Sequence, residues 1–296
     1  MKNQWTIATF NLWGFNPERL DIPGETRYIS GLTSDRIVGL EALLQGEDVD
    51  VIGLQETSTW SKVILERLMD RYAFAPTPSY FVGGADCDII YRRDRFTLLD
   101  CGFFYLHPEG LEEPGWDAKF VRRSAWALLK KNDTGVVALF ATTHLEHDGP
   151  HARVEGAKLI GPKLSAIARQ AEERYALEEC PILLVGDMND KVGSAVYEAL
   201  TACFLDARRE SLGPTVSDRV SSFSGIYHAD SPADIRGDGL YIDHILFRGN
   251  VQIQSVHMIL TATNLCPYGH YLSDHNAIVS RVIPSNHPHR KDGGAQ

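Results

Sequence analysis

Six places along this chain carry side chains suited to holding a hard cation or a phosphoryl group: Asn11, Glu56, His144, Asp187 with Asn189, Asp243 with His244, and Asp274 with His275. Ions such as magnesium take carboxylate, amide and water oxygens, and one or two direct carboxylates are enough. Glu56 and Asp274, helped by Asn11, supply such a set. Asp243 and His275 make a second unit, because a carboxylate that holds an imidazole favours its protonated form and fixes its orientation. Taken singly, each has a plainer explanation. Asn11 reads as a strand-end turn residue, Glu56 as a helix-capping acid, His144 as a satisfied core histidine and Asp243 as an arginine's partner. Ser273-Asp274-His275 reads equally as the start of a strand. What argues against six separate explanations is repetition: besides the run that ends at Asp187, four other strand-like runs in this chain end in groups suited to metal or phosphate.

The clearest of those runs is Pro181-Ile182-Leu183-Leu184-Val185-Gly186-Asp187-Met188-Asn189-Asp190, an apolar stretch of strand length that delivers Asp187 and Asn189 at its carboxyl end. Loops at strand ends are where rigid scaffolds hold their chemistry. Alternation at 5–13 predicts a strand with Asn11 at its exit, followed by some twenty residues of loop. A helix is expected over 35–45, capped by Thr33 or Ser34, and another over 59–72. Between them, the β-branched run at 49–54 ends in Gln55-Glu56. Short strands are read at 88–91 and 96–105 around a charged turn, Arg92 to Arg95, that is most simply solvated. A loop at 107–119 precedes a hairpin of 124–130 with 136–145, which closes on His144. Helix follows over most of 152–179, with a break or kink expected at Gly161-Pro162, and a short helix near 194–201. Strands at 240–247, 251–260 and 277–283 end the pattern, with a polar tail from 287 expected to be disordered. Strands outnumbering helices in two similar halves fit a layered α/β sandwich, two mixed sheets face to face with helices outside.

At 296 residues with a formal charge of −10, the chain can bury a sizeable core and presents an acidic surface. A broad basic stripe for long nucleic acid is absent, although divalent cations can offset carboxylates locally at a site. Five cysteines, odd in number and without CxxC spacing, argue for reduced thiols in a cytoplasmic protein and against a zinc knuckle. No run reaches membrane-spanning length, and nothing in the chain demands an oligomer, so a monomer is expected.

Read in order, Phe-Asn-Leu-Trp at Asn11, Gly-Leu-Gln-Glu at Glu56, Thr-Thr-His-Leu at His144, Gly186-Asp187-Met188-Asn189, Ile242-Asp243-His244-Ile245 and Ser273-Asp274-His275 resemble the ordered motif set of the endonuclease/exonuclease/phosphatase superfamily. The resemblance covers 5–282. It implies a deoxyribonuclease I-like four-layer sandwich forming one domain over 1–285, and a magnesium or manganese cofactor. It also implies site roles. Glu56 is then the main metal ligand, completed or water-bridged by Asn11 and Asp274. Asp187 orients or deprotonates the attacking water, Asn189, His144 and His275 hold phosphoryl oxygens, and Asp243 braces His275. Phe103 to Pro108 with Gly115-Trp116-Asp117 is similar to a bacterial and fungal subgroup that usually shows Trp-Leu-Ser there, whereas this chain has Tyr-Leu-His. His107, Trp116, Arg123 and Arg153 lie on loops or edges where substrate could touch them, although arginine and tryptophan serve packing as readily. His147, Asp148 and His151 read as a plain polar loop.

The function expected is metal-dependent phosphodiester hydrolysis, on nucleic acid, nucleotide or another small phosphodiester. Two alternatives are a phosphomonoesterase acting on a sugar or inositol phosphate, and a non-catalytic binding module on the same fold.

Overall fold

The computed structural model describes residues 3–13, 38–57, 68, 70–76, 86–216, 220–223, 240–260 and 272–287. Among the described residues, twelve strands make two six-stranded sheets. One contains β1 (Trp5–Asn11), β2 (Val51–Thr57), β3 (Tyr72–Phe74), β4 (Asp86–Arg92), β11 (Val251–Ile259) and β12 (Ala277–Pro284), in the order β11-β12-β1-β2-β4-β3. The other contains β5 (Phe96–Tyr105), β6 (Arg123–Lys131), β7 (Val137–His144), β8 (Ile182–Asp187), β9 (Leu205–Asp206) and β10 (Asp243–Arg248), in the order β5-β6-β7-β8-β10-β9.

Each sheet has one parallel pair at its centre, β1 with β2 and β7 with β8, flanked by antiparallel neighbours. Parallel strands end at the same edge. Asn11 therefore stands opposite Gln55, and His144 opposite Asp187, both at carboxyl ends. Antiparallel β10 begins where β8 stops and sets Asp243 against Asp187. This topology gathers the exit residues of sequence-distant strands along one rim.

Three apolar layers hold the arrangement. Between the sheets, Ile7, Val51 and Ile89 pack with Phe140, Leu183, Val185 and Ile245. Outside the first sheet, the helix α1, described over 38–46, lays Leu40, Leu43 and Leu44 on Phe10, Ile52 and Leu54. Outside the second, α2 (Pro150–Tyr175) and α3 (Ala195–Thr201) cover Leu139, Ile182 and Leu184 with Ile160, Leu164, Val196 and Leu200. Helix, sheet, sheet, helix is the expected four-layer sandwich, each sheet burying both faces.

Several expectations are corrected. α2 runs unbroken through Gly161 and Pro162. Gly161 is buried against Cys203, while the proline ring is exposed, where water can take the carbonyl it leaves unpaired. Tyr72 opens strand β3 and does not close a helix; most of 59–71 lies outside the described residues, as do the loop after Trp13 and the tail beyond 287. The charged turn is not merely solvated. Arg92 is buried and bonds Asp48 and Asp94 at 3.0 and 2.7 Å, and Arg95 bonds Asp50 at 2.7 Å. Asp50 also accepts the Thr6 N–H, so this turn ties β4 to the starts of β1 and β2.

Candidate active site

The rim where the exits meet is built from both sheets. Asn11, at the end of β1, donates through Nδ2 to Glu56 Oε1 at 3.2 Å and to Asp187 Oδ2 at 3.0 Å, joining one sheet to the other. Its Oδ1 accepts the Trp13 N–H at 2.8 Å. Glu56 reaches this point by an irregular backbone: its φ is 57°, where the β2–β4 register shifts between Leu54 and Thr57. A bulge of this kind re-aims a side chain, and a left-handed non-glycine residue costs about 1–2 kcal/mol, which the surrounding sheet must offset.

Asp187 is the centre. Oδ2 lies 3.5 Å from His144 Nε2 and 3.6 Å from His275 Nε2, and Oδ1 accepts the Asn189 N–H at 2.8 Å. Asp243 Oδ2 lies 2.9 Å from His275 Nδ1. Asp187, Asp243 and His275 each bring an oxygen or nitrogen within 4.8 Å of the other two, all buried. Asp274 Oδ1 lies 4.0 Å from His275 Nε2. The 272–275 segment is fixed by Ser273, whose hydroxyl donates to the Asn11 carbonyl and accepts the His275 N–H. The Ser222 hydroxyl accepts the N–H groups of Ile242 and Asp243, setting the start of β10.

These neighbours set the charges. Burial and the adjacent Asp243 charge push the Asp187 carboxyl up to about 7, against the opposing pull of His275, the Asn189 N–H and Asn11. Burial alone would depress His275, but Asp243 and Asp187 outweigh it and hold the imidazole as a cation to about 10. His144 goes the other way: burial, then the charges of Arg122, His275 and His147, keep it well below the ordinary histidine range.

Asn189 has a φ of 49°, and its Nδ2 donates to the Leu145 carbonyl at 2.9 Å. Among the four peripheral residues, His107 is buried and its Nδ1 accepts the N–H groups of Glu109 and Leu111. Arg153 donates to the Glu146 and His147 carbonyls at 3.1 and 2.9 Å, lacing the β7 exit to α2. Arg123 is buried over the Phe103 ring, and Trp116 is half-buried beside His151. Sequence reasoning passed over Gln55, whose side chain accepts from Thr9 and donates to Thr142 Oγ1 at 2.8 Å, a polar bridge between the sheets beneath the rim. No periodicity signals it, because glutamine beside glutamate at a strand end reads as solvent-facing.

The sequence profile of the Endonuclease/Exonuclease/phosphatase family matches residues 8–275. The chain belongs to that family. Its chemistry is phosphoester hydrolysis with divalent-metal dependence. Family structures are superposable over nearly the whole chain. A Bacteroides thetaiotaomicron mannosyl-6-phosphatase is 23% identical with a TM-score of 0.76, covering 95% of this chain and 100% of its own. A family protein from Bacteroides vulgatus is 26% identical with a TM-score of 0.73, covering 95% and 99%. D. rerio TDP2 complexed with single-strand DNA product is 18% identical with a TM-score of 0.63, covering 94% and 98%. Among curated proteins, none matches this sequence.

Proposed function

We propose that the chain is a magnesium- or manganese-dependent phosphodiesterase whose site is the rim around Asp187. The observation that carries this reading is the Asn11 bridge, which brings Glu56 of one sheet to Asp187 of the other beside two histidines. The residues fit a hard divalent cation. Four carboxylates, Glu56, Asp187, Asp243 and Asp274, are linked through Asn11 and His275, with His275 as the cation among them. Among the described residues, Asp243 Oδ1 is buried without a hydrogen-bond partner, and Asp187 holds its proton unusually tightly. Both mark a place short of positive charge.

Glu56 and Asp274 are the ligands assigned to the ion. Asn11 presents N–H groups to the carboxylates, and we assign it to bracing them or to a water-bridged contact. A bound divalent ion would stabilise negative charge on the phosphoryl oxygens. Asp187 orients the attacking water and takes its proton. His275, held by Asp243, donates to a phosphoryl oxygen as a cation, while His144 approaches from the other side through Nε2. Such donors stabilise charge that grows as the P–O bond breaks in line with attack. Asn189 fixes the Asp187 loop, and its remaining amide capacity suits a phosphoryl oxygen.

Hydrolysis of a chromogenic phosphodiester tests the reading. Chelator should abolish turnover, magnesium or manganese should restore it, and Asp187→Asn and His275→Gln should each lower kcat by about 10²–10⁴-fold. Metal-independent turnover that survives both substitutions refutes it. The likeness to the mannosyl-6-phosphatase favours a monoester reading of the same site. Rates on mono- and diesters of one leaving group decide between them.

A further inference from the structure

Asp243 opens β10 in the second sheet, and His275 lies just ahead of β12 in the first. Their side chains meet at 2.9 Å although 32 residues separate them in the chain. Strand pairing by itself does not bring them to that distance. Pairing of β10 with β8 begins at Asp243, β9 pairs with Leu246 and Phe247 further along, and β12 starts at Ala277, beyond His275. A short segment from a third part of the chain, Ser221-Ser222-Phe223, touches both approaches.

Ser222 is fully buried, and its hydroxyl is used to capacity. A hydroxyl offers one donor and two acceptor positions. Oγ accepts the N–H groups of Ile242 at 2.8 Å and Asp243 at 3.0 Å, and it donates to the Leu240 carbonyl at 3.3 Å. Successive amides converge on one oxygen where the chain turns, so this hydroxyl sets the bend through which the chain enters β10 and the direction in which Asp243 leaves it. The carbonyl of the same residue reaches the other half of the pair, accepting the Asn276 N–H at 2.7 Å. On either side, Ser221 offers its carbonyl to Asn276 Nδ2 at 3.3 Å, and Phe223 forms an antiparallel bridge with His275. The Phe223 ring lies 4.9 Å from the imidazole, tilted by 57°.

We propose that Ser222 is a positioning residue for the Asp243–His275 pair: its hydroxyl fixes Asp243, its carbonyl fixes the residue after His275, and one residue thereby aligns an acid from one sheet with an imidazole from the other. The inference rests on the reading of that pair as part of the hydrolytic site. The hydroxyl spends its proton and both lone pairs on main chain, so it acts through Asp243 and not on a reacting atom. Without it, two adjacent buried amides lose their acceptor, and the start of β10 must move to satisfy them. The carbonyl tie to Asn276 survives a change of side chain, so His275 keeps its place while Asp243 shifts.

The test combines kcat and KM on the diester for S222A, S222T, D243N and the S222A/D243N double variant with the proton spectrum of the full chain. S222A should lower kcat about 10- to 100-fold with KM little changed, and S222T, which keeps the hydroxyl, should recover most of the loss. On the D243N background the same serine substitution should cost less than about threefold, because the group it positions has already been removed. In the wild type, the proton between His275 Nδ1 and Asp243 should give a downfield ring signal, identified by its loss in H275Q. S222A should broaden or shift that signal, and S222T should leave it in place. A wild type without the signal, a signal unmoved in S222A, or equal losses of kcat on both backgrounds overturns the proposal. If S222A does not fold, S222C, whose sulfur is a far weaker acceptor, is read by the same criteria. If the wild type hydrolyses no phosphoester, the hydrolase reading fails while the ring signal still decides whether Ser222 sets the pair.

Discussion

Asp243 and His275 are buried and 2.9 Å apart, so the carboxylate does more than orient the ring. It is the largest of the charges that hold the imidazole as a cation up to about 10. Asp243→Asn should therefore lower kcat by about 10²–10⁴-fold. It should also move the alkaline limb of the kcat/KM profile to lower pH, because the ring gives up its proton sooner. A limb that stays in place would separate His275 from catalysis. His244, on the next residue, behaves oppositely. It is buried among Tyr197 and Tyr241, and burial followed by the Arg208 charge depresses its pKa. The unfolded chain then takes up a proton near pH 6.5 that the folded chain resists, so the contribution is intact above that pH and lost as pH falls below it. His144 acts in the same direction, whereas Asp187, raised to about 7, holds its proton longer when folded and opposes it. His244→Gln should flatten the acid-side fall in unfolding free energy by up to about 1.4 kcal/mol per pH unit, read from denaturant midpoints as pH falls below the ordinary histidine value.

At the scale of elements, the site depends on how closely the sheets approach. A Cβ on Gly53 would lie 2.5 Å from Val185 Cγ2 and 2.6 Å from Thr142 Oγ1, directly beneath the Gln55–Thr142 bridge. Gly53→Ala should cost about 1–3 kcal/mol by overpacking and should also lower kcat, since it separates Glu56 from Asp187. Unchanged activity would mean that the rim does not depend on sheet spacing. Gly186 presents a different constraint. Its φ is 148°, and a Cβ there would sit 2.0 Å from the Thr143 carbonyl of the paired strand. Gly186→Ala should destabilise by about 2–4 kcal/mol, measured by denaturant unfolding, because backbone cannot yield as a side chain can. That glycine lets β8 run close to β7 one residue before Asp187.

For the molecule as a whole, a divalent ion held by Glu56 at the end of β2 and Asp274 ahead of β12 should join segments far apart in the chain. A ligand at one hundred times its Kd stabilises the folded state by about 2.7 kcal/mol. Magnesium or manganese should therefore raise Tm in the wild type, and Glu56→Gln should remove most of that rise while leaving the metal-free Tm nearly unchanged. An equal rise in the variant would move the ion away from Glu56. Among the described residues, no helix is long and apolar enough to cross a membrane, and α2, the longest, packs one face on the second sheet.

By itself the sequence determined the class of chemistry and the layered fold. Apolar runs of strand length reported which segments would be buried on both faces, and the polar residue closing each run survives in such a place only for a reason. Asp187 after Leu183-Leu184-Val185-Gly186 was legible for that cause. Only the tertiary structure decided which polar groups face one another. Pairing order is not encoded in local periodicity, so nothing near Asn11 announces that its amide spans Glu56 and Asp187. Packing also overruled local preference at Pro162, where a buried helical face outweighed one missing hydrogen bond, and at Arg92, whose charge found Asp48 ahead of β2 as well as Asp94 in its own turn. Both differences have one origin: burial and pairing energies depend on neighbours that the chain reaches only after it has folded.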